Sequence, residues 1–215
     1  MKTQDLPYII YKQEPLPYSF EAINSYIDKE TIEVNFKFHH AEYIDNLNII
    51  IQDLDIENIA LERIFEKCDL YPKGLLENAG GYYNYTFLWR IITPNCGGDL
   101  SPEFMSAIDH AFNSFEQFKM EFEHAALSID GSGWAWLVVD NDNKLKITTT
   151  TNEVNPLMKN GDVQGVPVIA INMWERMYYL KHQNNRKEYV INFWSVLNWT
   201  FIDNNYREII LSKYI

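Results

Sequence analysis

The sequence predicts an α+β protein, with an N-terminal helical hairpin domain followed by an α/β domain built on a three-stranded antiparallel sheet. Three observations predict it. Apolar residues in the first half recur at helical spacing, β-rich runs appear only after residue 130, and the glycine-rich stretch Thr93-Pro94-Asn95-Cys96-Gly97-Gly98 divides the two. With 215 residues, 47% hydrophobic and 15% aromatic, the chain can bury a sizeable core, which decides against disorder.

Taken in order, the Leu6-Pro7 and Leu16-Pro17 pairs suggest an extended arm, after which Ser19 can cap a first helix through about Asp28. From Thr31 to about Gln52, Ile32, Phe36, Tyr43, Leu47 and Ile50 mark one face of a long helix. Asn35, His39 and Tyr43 stand at i, i+4 and i+8, which aligns them on such a helix. Further helices are predicted from about Leu61 to Cys68 and from about Leu75 to Ile92, so the boundary divides residues 1–97 from 98–215. Beyond it, Ser101-Pro102-Glu103 reads as a cap, a proline at the first helical position and an acid in the first turn. Ser114 with Gln117 makes a capping box for a helix through about Ile129. Trp134 to Val139 and Lys144 to Thr151 form a hairpin over the polar turn Asp140 to Asn143, and Val166 to Ile171 is a third strand. Helices from about Trp174 to Gln183 and Arg186 to Asp203 close the chain.

The formal charge of -12 argues against direct nucleic-acid binding, because phosphate backbones are bound by neutralising them with Lys and Arg. Cys68 and Cys96 stand apart and in no paired motif, which suits a reducing compartment. No apolar run approaches the roughly 20 residues a membrane helix requires, so no membrane insertion is expected. The N-terminus carries acids and prolines in place of the patterns of a signal or transit peptide. A soluble protein of the cytoplasm or mitochondrial matrix is the expectation.

A series of motifs then appears in a fixed order. Leu16-Pro17-Tyr18, His39-His40-x-x-Tyr43, Asn84-x-Thr86-Phe87-x-Trp89, Gly131-Ser132-Gly133-Trp134-x-Trp136-Leu137, Asn155-Pro156-Leu157, Trp174-Glu175-x-x-Tyr178-Tyr179 and Asn198-Trp199 span nearly the whole chain. In this order they resemble the iron/manganese superoxide dismutases. That family holds one iron or manganese ion with three histidines and one aspartate. The resemblance places these ligand positions at Asn35, Tyr85, Asn172 and Arg176, none of which matches the family's donors. A carboxamide is a weak ligand without charge, and a guanidinium has no lone pair to give. Glu153 stands where manganese-type members carry a glutamine beside the metal-bound solvent.

From these departures follow the functional expectations. Arg176 is expected to turn into the former metal pocket and pair with Glu153 or another acid, while Asn35, Asn172 and Tyr85 complete its hydrogen bonds. By resemblance, His39 and Tyr43 are a vestigial substrate gateway, and Glu175, Tyr179 and His39 belong to a dimer interface. The leading reading is a non-catalytic structural or interaction subunit with no cofactor, in a homo- or heterodimer or as a subunit of a larger complex, with a mitochondrial one among the choices. The other reading is a superoxide dismutase or other redox enzyme with an unconventional iron or manganese site. A third is a small anion bound at Arg176.

Overall fold

The computed structural model describes residues 11–56, 59–94, 96–159 and 163–212; the Leu6-Pro7 part of the expected arm lies outside them. Residues 19–26 form tight turns instead of the helix predicted from Ser19, closed by Ala22 N–H to Ser19 C=O at 3.0 Å and Tyr26 N–H to Ile23 C=O at 2.9 Å. Ile23, Tyr26 and Ile27 are buried in the core, so tertiary packing rather than helical hydrogen bonding fixes this segment. The first helix begins later, where Asp28 Oδ1 accepts from Thr31 N–H at 2.9 Å and closes an N-cap.

Helix α1 (Lys29–Val34) runs through a π-helical stretch (Asn35–His40) into α2 (Ala41–Asp53). The wider π turn brings residue i+5 back to a face where an α-helix would bring i+4. For that reason His40, five residues after Asn35, is buried with it, while His39 is only half-buried. The one-face alignment expected of Asn35, His39 and Tyr43 is broken at this point. Helices α3 (Leu61–Glu66) and α4 (Lys73–Ile91) complete the hairpin, with α2 packed along α4. Two adjacent glycines of α4 permit close approaches. A Cβ at Gly81 would lie 2.5 Å from the Tyr43 ring, and one at Gly80 would lie 2.2 Å from the Glu153 carbonyl oxygen.

In the second half, α5 (Pro102–Phe112) is capped by Ser101 and α6 (Phe115–Ser128) by Ser114, each side chain accepting from the backbone three residues on. Gln117 does not return the bond to close a full capping box; its amide turns to Glu121 at 2.8 Å. Strands β1 (Gly133–Val139), β2 (Leu145–Thr151) and β3 (Val166–Asn172) form an antiparallel sheet in the order β2-β1-β3. Central β1 is buried at every position, which explains its unbroken apolar run. The pairing of Trp134 with Asn172 sets the end of β3 beside α4.

The two closing helices are more divided than predicted. A 3-10 turn (Glu175–Met177) precedes α7 (Tyr179–His182), which Gln183 ends at φ 50°. The predicted helix from Arg186 to Asp203 separates into α8 (Arg186–Phe193) and α9 (Trp199–Ser212). Between them Leu197 bridges to Ile92, Asn198 N–H donates to Ile91 C=O at 2.8 Å, and the Asn198 side chain accepts from Phe201 N–H at 3.2 Å. Asn198 thus serves the backbone of the first half and the start of α9 together, and a continuous helix would forfeit both.

One large apolar core joins the halves, with Tyr85 and Trp89 of α4 against Trp134 and Trp136 of β1 and Phe193 of α8. Each such large side chain contributes roughly 1.5–3 kcal/mol by leaving water. A smaller core of Leu47, Ile51, Ile64, Phe65, Leu75 and Met158 sits under the hairpin. Among the described residues no helix is long and apolar enough to cross a membrane.

A guanidinium-centred candidate site

The fold draws Asn35 from the π stretch, Tyr85 from α4, Asn172 from the end of β3 and Arg176 from the following turn into one place. The Arg176 guanidinium lies 3.9 Å above the Trp174 ring. Its Nε donates to the Tyr85 hydroxyl at 3.1 Å and its Nη2 to the Tyr43 hydroxyl at 3.3 Å. The Tyr85 hydroxyl donates to Asn35 Oδ1 at 2.7 Å. Asn35 Nδ2 in turn donates to Thr31 C=O at 2.9 Å and to the Arg176 carbonyl at 3.3 Å, tying the π stretch to the turn that carries the cation.

Arg176 turns inward as expected, but its expected ion pair is not made. Among the described residues no carboxylate lies within 4.0 Å of its nitrogens. The Tyr43 hydroxyl stands between, accepting from Arg176 and donating to Glu153 Oε1 at 2.6 Å. A hydroxyl can do both at once, so it links cation and acid without direct contact. Glu153 is fixed from its other side by Asn84 Nδ2, which donates to its backbone carbonyl at 3.1 Å.

Electrostatics follow from this arrangement. Burial pushes the Tyr85 hydroxyl above its ordinary pKa, opposed by the adjacent Arg176 charge. Tyr43 is raised by burial and by its bond to Glu153. His39 is held below the usual histidine value, first by burial and then by the Arg176 charge, which places it within reach of that field. Its buried neighbour His40 accepts at Nδ1 from Gln13 Nε2 at 3.1 Å and Trp89 Nε1 at 3.3 Å, leaving Nε2 to donate to Thr86 at 3.2 Å. Burial presses His40 down to about 4.

Asn172 is fully buried. Its Oδ1 accepts from Trp174 N–H at 2.9 Å and its carbonyl from the Tyr189 hydroxyl at 2.8 Å. Its Nδ2 finds no hydrogen-bond partner, although the side chain lies near enough to Tyr85 to bear on that hydroxyl's ionisation. Glu175 and Tyr179 are exposed beside the site, Tyr179 at 47%, together with Phe38 at 64%. Trp174 beneath the guanidinium and Gly80-Gly81 beneath Tyr43 and Glu153 were not assigned to the site by sequence. Two consecutive glycines inside a helical pattern were the available signal for a close approach.

The four residues that the resemblance sets at the family's ligand positions, Asn35, Tyr85, Asn172 and Arg176, do not fit iron or manganese as the structure places them. Asn35 Oδ1 is occupied by Tyr85, Asn172 Oδ1 by a backbone N–H, and the Tyr85 oxygen by Arg176, whose own charge opposes a cation. Among the described residues no three His, Cys, Asp or Glu side chains are grouped to hold a metal ion.

The comparisons with known proteins bear on the whole chain. Residues 10–93 match the family model for the α-hairpin domain of iron/manganese superoxide dismutases, and residues 100–205 match that for their C-terminal domain. A superoxide dismutase [Mn] of Acinetobacter baylyi is 39% identical over 93% of this chain and 89% of its own length. A superoxide dismutase [Fe] of Coxiella burnetii is 40% identical over 89% of this chain and 96% of its own. A superoxide dismutase [Mn] 1 of Leptolyngbya boryana is 38% identical over 92% and 81%. These names overturn two expectations drawn from the ligand positions alone, that the chain is a non-catalytic structural subunit and that it has no cofactor. They point to a catalytic dismutase and to iron or manganese, and they give no support to the reading as a metal-free complex subunit. Similarity over nine-tenths of the chain, the matching helical hairpin and the three-stranded sheet together establish that this chain belongs to the iron/manganese superoxide dismutase family.

Proposed function

We propose that this protein acts on superoxide through an unconventional centre, as a superoxide dismutase or related redox enzyme. Support comes from the relatives named for that activity and from the positive charge of Arg176, which Tyr85 and Tyr43 hold where the resemblance sets the family's metal. Superoxide is an anion, and a half-buried guanidinium attracts anions more strongly than a solvated one because the surrounding dielectric is lower. Dismutation turns two superoxide anions and two protons into peroxide and dioxygen, and iron or manganese supplies the electron carrier in the family.

Elemental analysis of the purified protein beside a superoxide consumption assay tests this. Superoxide loss above the buffer rate, abolished in Arg176→Glu, is the expected result, and the bound metal then identifies the carrier. A rate equal to buffer for folded protein that has been offered iron and manganese rejects the reading.

Self-association through the face that carries His39, Glu175 and Tyr179 is the second part of the proposal. Its support is the exposure of Phe38 and Tyr179 beside the site. Light scattering after size-exclusion chromatography reads it, and a monomer that stays monomeric at tens of micromolar rules it out.

A further inference from the structure

We infer that the outer edge of β2 is a docking site for an extended segment of a protein partner, which adds to the sheet as a further strand. In the order β2-β1-β3, β2 has a neighbour on one side only. The phase of that pairing shows which backbone groups are spent. Asp140 N–H donates to Lys144 C=O at 2.9 Å and Asn152 N–H to Ser132 C=O at 2.9 Å, so the even-numbered residues of β2 bond to β1. The odd-numbered Ile147 and Thr149 turn N–H and C=O the other way, and among the described residues no backbone partner meets them. Such a row pairs with another chain unless charge, proline, a bulge or a covering element prevents it. Ile147-Thr148-Thr149-Thr150-Thr151 has no charge, proline or glycine, its register with β1 is unbroken, and Thr149 and Thr151 are exposed. Its β-branched residues hold the backbone extended, ready for a partner strand.

Two depressions along this edge set the chemistry of the occupant. One, of about 480 Å³, lies between α6 and Ile147, with Met120 and His124 in its lining. Met120 is 64% exposed and Ile147 half-buried, so together they seat an apolar side chain. The other, of about 310 Å³, lies between α5 and the start of β2; His110, Lys144 and Lys146 line it and no acid does. Lys146 is engaged by Asp140 at 2.7 Å, which leaves Lys144 and His110 to meet an acidic side chain. Side chains on one face of a strand recur at every second residue. A strand added antiparallel to β2 runs from the Thr151 end toward Lys144, so it passes the apolar seat before the basic one. The occupant is therefore an extended partner segment with an apolar residue and, two positions later, an acid. A second copy of β2 offers lysine and threonine there and no acid, so it complements the edge less well.

The probe is a blocked synthetic peptide, Thr-Thr-Val-Thr-Leu-Thr-Glu-Thr-Thr, titrated into the isotope-labelled whole protein and followed by amide NMR. Saturable shifts at Ile147 and Thr149 are expected, with solvent exchange of both amides slowed at least tenfold at saturation. The same peptide methylated on alternate backbone nitrogens cannot complete the ladder and is expected not to bind. A version with Lys in place of Glu is expected to bind more weakly. Thr149→Pro removes an outward N–H and leaves the bonds to β1 in place, so it is expected to fold and to weaken binding at least tenfold. Met120→Glu, on the exposed face of α6, fills the apolar seat with charge and weakens binding without touching the strand; circular dichroism checks both variants. Unmoved Ile147 and Thr149 amides overturn the site, as does equal binding of the methylated peptide or undiminished binding in folded Thr149→Pro or Met120→Glu. Self-association through β2 that Thr149→Pro abolishes and the peptide does not displace overturns the partner segment as occupant.

Discussion

The Tyr43 hydroxyl reaches Glu153 Oε1 at 2.6 Å, and through this bond an acid from the loop after β2 is attached to the helical hairpin. The same oxygen accepts from Arg176, so one phenol joins three segments distant in sequence.

Removing that hydroxyl in Tyr43→Phe leaves Glu153 and Arg176 each short of a partner. A loss of about 1–3 kcal/mol is expected, since both partners are charged and only partly able to turn to water. Urea denaturation measures it, and a change under 0.5 kcal/mol would show the relay to be incidental.

The glycines beneath the relay should be intolerant in a graded way. Gly81→Ala meets the face of the Tyr43 ring, a side chain that can give way, whereas Gly80→Ala meets the Glu153 backbone. Overpacking of this kind costs about 1–3 kcal/mol, with Gly80→Ala expected at the upper end or beyond. Thermal unfolding of both variants checks the ranking.

How far the centre could be read in advance depended on the kind of information each residue carried. Motif order gave the family, and the resemblance located Asn35, Tyr85, Asn172 and Arg176, which the structure brings together. The strands were legible because their apolar runs are bounded by turn residues such as Asp140 to Asn143. Other features depend on contacts between distant segments. Nothing local announces that Tyr43 will stand between Arg176 and Glu153, or that Asn198 will break the last helix to bond Ile91. The π stretch was equally hidden, because apolar spacing in residues 31–50 is compatible with a regular helix. Inferring function from missing ligands alone also failed, because the names of close relatives carry information that donor chemistry at four positions does not.

His40 supplies a pH dependence. Its Nδ1 accepts two hydrogen bonds in the fold, so protonation there forfeits both. The folded pKa of about 4 lies below the unfolded value near 6.5. Between those values the unfolded chain binds the extra proton, so this contribution is complete above about 6.5 and is lost as pH falls toward 4. The difference amounts to roughly 3 kcal/mol. Denaturation at pH 7 and pH 4.5 is expected to show a smaller acid loss in His40→Gln than in the parent.

A neighbouring histidine reports the cation. Arg176 is the second cause of the lowered His39 pKa, so Arg176→Gln should move the His39 titration upward without restoring it fully, because burial remains. Proton-detected histidine titration by NMR reads the shift directly. An unchanged His39 would place the guanidinium charge elsewhere in solution.

The four replaced positions can be tested as a set. Combining Asn35→His, Tyr85→His, Asn172→Asp and Arg176→His installs three imidazoles and a carboxylate where the resemblance sets the family's donors. One manganese or iron per chain is expected at that place, detected by elemental analysis and by electron paramagnetic resonance of the manganese form. Failure of a folded quadruple variant to take up metal would mean that the surrounding backbone has drifted from a ligating geometry.

The wide turn at Asn35–His40 gives the first helix a phase that composition alone does not set. Deleting a single residue there would let the segment close into an ordinary α-helix while the helix beyond it kept its phase, because the wide turn spends five residues where an α turn spends four. Tyr43 would then keep its glycine seat, and the change would fall on the side chains inside the turn, where His40 is buried and His39 half-buried. The extra residue therefore decides which of two adjacent histidines is enclosed, and a transplant of the hairpin into another scaffold has to carry it for that choice to survive.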